Sequence, residues 1–252
     1  MTSALAPIPS SEKVGQIRAV CFDIDDTLVD YVTSSRRGLA ALVGHDDAWP
    51  LWERVTEMQL ARYLAGEVDY DTMRRERTRA FFAELGVELA DSELAGREEL
   101  RVEAMRAAWE VYEDVWPCMD WLRAAGLRIA AITNASGPLQ RMKIADLGLA
   151  EVFDHVIIAG ELGVAKPDPA IFHTATVALG LPPEQVVHVG DRLDLDAVGA
   201  RDAGLHGVWL DRGDSHAQVP QGVLTISTLD ELPEALVCDL APVETSCHVI
   251  TP

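Results

Sequence analysis

Lysine is almost missing from this chain: its 252 residues include only Lys13, Lys143 and Lys166, and lysine plus arginine number 21 against 41 aspartates and glutamates. The formal net charge of −20 excludes a surface built for a nucleic-acid polymer or an anionic membrane, because both would be repelled. It does not exclude a small phosphate ester, which a local cationic pocket can hold against the general field. Long apolar runs are also absent, and none approaches the roughly 18 to 20 residues of a membrane helix. Met1 to Gln16 shows no cationic start followed by an apolar segment, so no secretory signal is expected. Cys21, Cys118, Cys238 and Cys247 form no Cys-x-x-Cys pair, and reduced thiols in a cytoplasmic protein are the expectation. The seven histidines have no metal-like spacing, and His188, inside an apolar run, is expected to be a satisfied core residue.

What is present alternates between short apolar runs and helix-like stretches. Arg18–Phe22, Arg128–Ile132, Val156–Ala159, Val186–Val189 and Gly207–Leu210 are the candidate strands. Gly137–Leu147, Pro169–Leu179 and Leu195–Ala203 read as helices between them. The alternation predicts an α/β fold, a Rossmann-like parallel sheet with helices on both faces. The interval 34–114 differs: apolar residues recur at three and four spacings, as in Leu51, Val55 and Met58, which predicts four amphipathic helices. Loop signals at Gly44–Asp47, Ala65–Asp69 and Gly86–Asp91 divide it. The expected organisation is a core of 1–33 and 115–238 and a helical cap of 34–114. Residues 1–15 and a C-terminal tail of 239–252 are expected to be loosely held.

Ligands of open α/β sheets bind at the carboxyl ends of the strands, and polar residues collect there. Asp23, Asp25 and Thr27 follow the first strand, Thr133 and Asn134 the second, Lys166 the third, and Asp191, Asp194 and Asp196 the fourth. A carboxylate fixed at a strand end suits an in-line nucleophile, and a second carboxylate can protonate the departing oxygen. Crowded carboxylates favour a hard dication; Mg²⁺ takes one or two of them plus substrate oxygens and water, with Asp191 the natural second ligand. Lys166 reads as a lone ammonium that neutralises phosphoryl oxygens. Backbone N–H groups at Thr133 and Asn134 precede a helix and favour an anion. Each feature alone has a plainer reading as a turn, a cap or a solvated loop, but four such strand ends in order point to one crevice. Trp49, Trp52, Trp109 and Trp116 are expected in the cap's core. Arg74, Arg75, Arg77 and Arg79 are expected on a solvated helix face, with Arg77 the member able to face substrate.

The ordered set resembles the haloacid dehalogenase-like hydrolase superfamily. Asp23-Ile24-Asp25-Asp26-Thr27-Leu28 is similar to its first motif and Ile132-Thr133-Asn134 to its second. Gly163-Val164-Ala165-Lys166-Pro167 is similar to the third, and Gly190-Asp191 through Asp196 with Gly199-Ala200 and Ala203-Gly204 to the fourth. The resemblance implies that Asp23 forms an aspartyl-phosphate and that Asp25 acts as acid and then base. Thr133 and Lys166 would hold the phosphate, with Thr27, Asn134 and Arg77 as further binding candidates. Mg²⁺ would be held by Asp23, the Asp25 carbonyl and Asp191, supported by Asp196. The inserted block resembles a C1-type cap. Trp52, the turn at Gly66 and Arg77 resemble the branch containing N-acylneuraminate-9-phosphatase and pyrimidine 5′-nucleotidase-like enzymes. Arg192 and Leu195 depart from the fourth motif, which leaves Asp194 an alternative to Asp196.

The expected function is therefore Mg²⁺-dependent hydrolysis of a small phosphorylated metabolite: a nucleotide, a sugar phosphate or a phospho-acid. Asp25 argues against dehalogenation, and the lack of lysine between Lys13 and Lys143 argues against Schiff-base phosphonate cleavage. A sugar-phosphate mutase, or a binding protein that keeps the fold without turnover, stays open.

Overall fold

A computed structural model describes residues 17–213, 215, 217–238 and 240. The loose segment expected for 1–15 lies outside the described residues, as does the 239–252 tail apart from residue 240. Six strands form one sheet: β1 (Ala19–Phe22), β2 (Arg128–Thr133), β3 (His155–Ile158), β4 (Val186–Gly190), β5 (His206–Leu210) and β6 (Val223–Ile226). Their order is β3-β2-β1-β4-β5-β6, and every pairing is parallel. Parallel strands between two helical layers are buried on both faces, and β1 meets that demand with Ala-Val-Cys-Phe, none of it exposed. Successive side chains alternate faces. Val20 and Phe22 join one apolar cluster with Ile129, Val187, Val189 and Val208, whereas Ala19 and Cys21 join the other with Ala130, Ile132 and Val186. Burying Phe22 alone contributes about 2–3 kcal/mol.

Five helices separate β1 from β2: α1 (Tyr31–Val43), α2 (Trp49–Leu64), α3 (Tyr70–Glu84), α4 (Asp91–Arg106) and α5 (Val115–Ala124). The first four are the expected amphipathic helices, and they cover the carboxyl end of the sheet as a cap. The Asp30 and Asp69 carboxylates accept hydrogen bonds from the N–H groups of Thr33 and Thr72, fixing where α1 and α3 begin. Leu39, Leu42, Trp52, Val55, Phe81 and Phe82 form the cap's own core, in which Trp52 meets Phe81 edge-on at 5.2 Å between centroids. The two connections to the sheet pair at Val29 and Val111. The α5 helix packs on the sheet, with Val115, Cys118, Met119 and Leu122 in the cluster around Phe22. Trp116, expected in the cap core, stands 41% exposed on α5; a short helix on a flat sheet buries one face only.

After β2 come α6 (Gly137–Asp146), α7 (Ala159–Leu162), α8 (Pro169–Leu179), α9 (Gly199–Asp202) and α10 (Leu232–Cys238). Ile171, Phe172, Ala175 and Leu179 of α8 cover one face of the sheet, and Leu232, Ala235 and Leu236 of α10 the other. The helix expected over 195–203 is a π-helical turn, Leu193–Val198, running into α9. The β6 strand and α10 carry too little apolar periodicity to stand out in the sequence, since Val223–Ile226 is an edge strand with only Ile226 buried.

Candidate active site

The strand order reverses at the β1–β4 pair: β2 and β3 lie to one side of β1, and β4, β5 and β6 to the other. Such a switch point opens a crevice beyond the carboxyl ends of the strands. Asp23 leaves β1 there, Thr133 ends β2, and Asp191 follows Gly190 at the end of β4. After Asp23 the chain turns back, with Asp26 at φ 59°, a left-handed conformation that aspartate tolerates better than most residues. Its carboxylate accepts from the Val32 N–H at 2.9 Å.

Lys166 is the hub. Its buried ammonium donates to Asp23 Oδ1 at 2.6 Å, Asp196 Oδ1 at 2.6 Å and the Ile132 carbonyl at 2.9 Å. Burial opposes the charge, yet Asp196 and Asp23 overcome it and hold the ammonium above its usual range. Asn134 braces this lysine through its backbone: its Nδ2 donates to the Lys166 carbonyl at 2.9 Å and its Oδ1 accepts from the Lys166 N–H at 2.8 Å. The Asn134 side chain is thereby committed to shaping the loop. Asp196 also accepts from the Arg192 N–H at 3.0 Å and pairs with His188 Nε2 at 2.9 Å. Burial holds the His188 imidazole below its usual pKa, and hence neutral at pH 7. A neutral ring facing a carboxylate carries its proton on Nε2. His188 is thus a core histidine, but only half satisfied against the expectation: Nε2 is committed to the site, and Nδ1 is buried without a hydrogen-bond partner.

Asp23, Asp191 and Asp196 each offer a carboxylate oxygen, and these lie within 4.8 Å of one another. Burial raises the Asp23 carboxyl to about 7, with the neighbouring acids adding to the effect and Lys166 opposing it. Burial, then the charges of Asp23 and Asp196, push Asp191 well above the carboxylate range. A buried all-oxygen cluster short of positive charge fits a hard dication such as Mg²⁺. Asp196 already accepts on both oxygens, so Asp23 and Asp191 carry more of the free ligand capacity. Thr27 positions Asp191: the Asp191 N–H donates to its hydroxyl at 3.0 Å, and Trp209 Nε1 donates to the Asp191 carbonyl at 2.8 Å.

Asp25 lies outside that trio. Its carboxylate pairs with Lys143, and Gln140 bridges it to Thr133, donating to Asp25 Oδ2 at 3.4 Å and to Thr133 Oγ1 at 3.1 Å. The expected lone ammonium is therefore corrected to two: both lysines among the described residues are buried in this site, each against a different aspartate of the first motif. Lys143 and Gln140 lie on α6, one turn apart, where the sequence shows only an amphipathic helix; the scarcity of lysine was the available signal. Asp194, the alternative acid, points outward and pairs with Arg192 at 3.7 Å. Arg192 also reaches Glu57 of α2 at 3.2 Å, tying cap to core.

Above these residues lies a cavity of about 420 Å³, lined from the core by Asp23, Thr133 and Lys166 and from the cap by Trp49, Tyr70 and Arg77. The basic run on α3 divides: Arg75 and Arg79 are exposed, whereas Arg77 is buried against Trp52, its guanidinium 4.6 Å from the ring.

Comparison with known proteins follows the same motifs. The model of the haloacid dehalogenase-like hydrolases matches residues 17–204, spanning β1 to β4 of the sheet and the whole inserted cap. The chain belongs to this family. A phosphoserine phosphatase of Thermus thermophilus is 36% identical to this hydrolase over 177 residues, covering 69% of this chain and 68% of the relative. The N-acylneuraminate-9-phosphatase of Rattus norvegicus is 27% identical, covering 88% and 95%. The structure of the hydrolase YfnB from Bacillus subtilis, bound to magnesium, superposes with a TM-score of 0.75 at 22% identity over 87% of this chain and 98% of that one, a likeness of fold. No helix among the described residues is long and apolar enough to cross a membrane.

Proposed function

We propose that this hydrolase is a Mg²⁺-dependent phosphatase that cleaves a small phosphate monoester through an aspartyl-phosphate on Asp23. One observation carries the reading: Asp23, fixed at the end of β1, shares the buried Lys166 ammonium and sits within 4.8 Å of Asp191 and Asp196. Asp23 attacks phosphorus while the bond to the leaving oxygen breaks. That oxygen takes a proton from Asp25. Water then attacks the acyl phosphate, giving its proton to Asp25, and Asp23 is released with inorganic phosphate. Lys166 and Thr133 meet the phosphoryl oxygens, and preorganised positive charge there stabilises the crowded transition state. Mg²⁺, held by Asp23, Asp191 and the Asp25 carbonyl, would supply the charge that lets the phosphate approach so many carboxylates. The relatives act on small phosphorylated metabolites, which fits a 420 Å³ cavity.

Hydrolysis of p-nitrophenyl phosphate tests this directly. Asp23→Asn and metal chelation should each lower the rate by on the order of a thousandfold. Undiminished turnover in either case overturns the mechanism.

A further inference from the structure

The cap carries a buried charge imbalance that the core chemistry does not use. Arg74 and Arg77 on α3 and Arg101 on α4 surround a single acid, Glu98. Arg74 Nη2 donates to Glu98 at 3.0 Å, and Arg101 donates through Nε and Nη2 at 3.3 Å each. Thr78 donates its hydroxyl to the same carboxylate. Arg77 comes last. Its Nη2 stands 3.6 Å from Glu98, and its guanidinium donates no hydrogen bond to any described residue, with Nε and Nη2 buried and unpartnered. Three positive charges thus share one negative charge inside the cap of a chain whose net charge is −20.

Arg77 is 3% exposed, so its charge is largely withdrawn from bulk solvent. Burial, and then the charge of Arg101, press its guanidinium below its usual pKa. Trp52 takes up part of the demand through cation–π contact with Arg77 and Arg101. Glu53 and Glu57 also line the cavity, but both are exposed on α2, and Glu57 is paired with Arg192. A buried guanidinium with unused donors is costly unless an anion completes it. Among these three arginines, Arg77 is the one that lines the cavity containing Asp23 and Lys166.

We propose that Arg77 recognises a second anionic group, a carboxylate or a further phosphate, on the leaving-group side of the substrate. The preferred substrate is then a phosphate monoester that carries negative charge at both ends, one end at Lys166 and the other at Arg77. The assignment of ends rests on the phosphatase reading above. Arg101 and Arg74 act behind Arg77: by saturating Glu98 they leave the inner guanidinium free for the ligand.

Calorimetric titration of the Mg²⁺-loaded Asp23→Asn protein tests this without turnover. The probes are ω-phosphorylated carboxylic acids of increasing chain length, the matched alkane bisphosphates, and alkyl phosphates as counterparts that lack the second charge. At the best length a doubly anionic probe should bind about thirtyfold more tightly than its alkyl counterpart, the scale of one hydrogen bond to a charged group. Whether carboxylate or bisphosphate leads identifies which anion the pocket takes. Arg77→Gln in the same background should reduce the preference to within about threefold, and Arg77→Lys should retain part of it. Equal affinity for probes with and without the second anionic group overturns the inference, as does a preference that survives Arg77→Gln. The Arg77-intact comparison is decisive even if the glutamine variant does not fold. Turnover of p-nitrophenyl phosphate by the wild-type protein separates the two readings. Turnover without an anion preference sinks this inference alone, whereas a preference without turnover sinks the phosphatase assignment alone.

Discussion

Replacing Gly190 by alanine should cost far more than one methyl group normally does. A Cβ at Gly190, the last residue of β4, would lie 2.3 Å from Asp196 Cγ, 2.4 Å from Oδ2 and 2.6 Å from Cβ. Carbon atoms rest about 3.5–4.0 Å apart, so the Asp196 side chain must retreat by about 1 Å or more. A flexible side chain would do so cheaply, but this one is held at both oxygens. Lys166 and His188 meet Oδ1 at 2.6 and 2.9 Å, and the Arg192 N–H meets Oδ2 at 3.0 Å. A displacement of that size breaks the buried ion pair and leaves Lys166 with Asp23 as its one charged partner. Breaking a buried pair costs about 3–5 kcal/mol, which for a chain of this size lowers Tm by roughly 6–20 °C. Urea titration and calorimetry of the metal-free protein give the number, and a cycle with Asp196→Gly identifies its origin. With the Asp196 side chain gone, Gly190→Ala should cost under about 1 kcal/mol. A small cost in the wild-type background, or an equal cost in both, would refute the reasoning.

Two further outcomes follow from buried charges. Lys143→Met removes the ammonium that holds Asp25, so turnover of an alkyl phosphate should fall by about tenfold or more, with a smaller loss on p-nitrophenyl phosphate, whose leaving group needs little protonation. Parallel losses on the two esters would separate Lys143 from the proton transfer. In the cap, burial opposes ionisation of Glu98, but Arg101 and Arg77, with Thr78 and Arg74, hold its pKa at about 2 against an ordinary 4.5. A depressed carboxylate gives stability above its unfolded pKa and loses it as pH falls through the folded one. Wild type should therefore lose its advantage over Glu98→Gln, about 3 kcal/mol, between about pH 4.5 and about pH 2, read from urea midpoints. A pH-independent difference between the two proteins would place the stabilisation elsewhere than in the charge.

Much of this molecule was legible in order along the chain. Five of the six strands, the helical insertion and every acidic strand end could be read because each is a local signal: an apolar run, a three-and-four spacing, a polar residue at the end of a strand. The misses share a different character. Lys143 and Gln140 look like surface positions of α6, and only the fold brings them against Asp25, more than a hundred residues earlier. Asp194 and Asp196 are indistinguishable in sequence, and the π-helical turn decides that one is exposed and the other buried against Lys166 and His188. The run Arg74 to Arg79 reads as a basic face with Arg77 the member able to turn towards substrate, but the partners that bury it, Glu98 on α4 and Trp52 on α2, are not legible in the run itself.

The sequence by itself determined the class of fold and the kinds of groups at its strand ends, because apolar periodicity and strand-terminal polarity are properties of neighbouring residues. It determined through a lysine count of three that any lysine in the site would be Lys13, Lys143 or Lys166. Only the tertiary structure decided which charge faces which: Lys166 against Asp23 and Asp196, Lys143 against Asp25, Arg77 beside a Glu98 already taken by Arg74 and Arg101. Those pairings span elements far apart in the chain, and their strength depends on burial, a property that the packed fold alone confers.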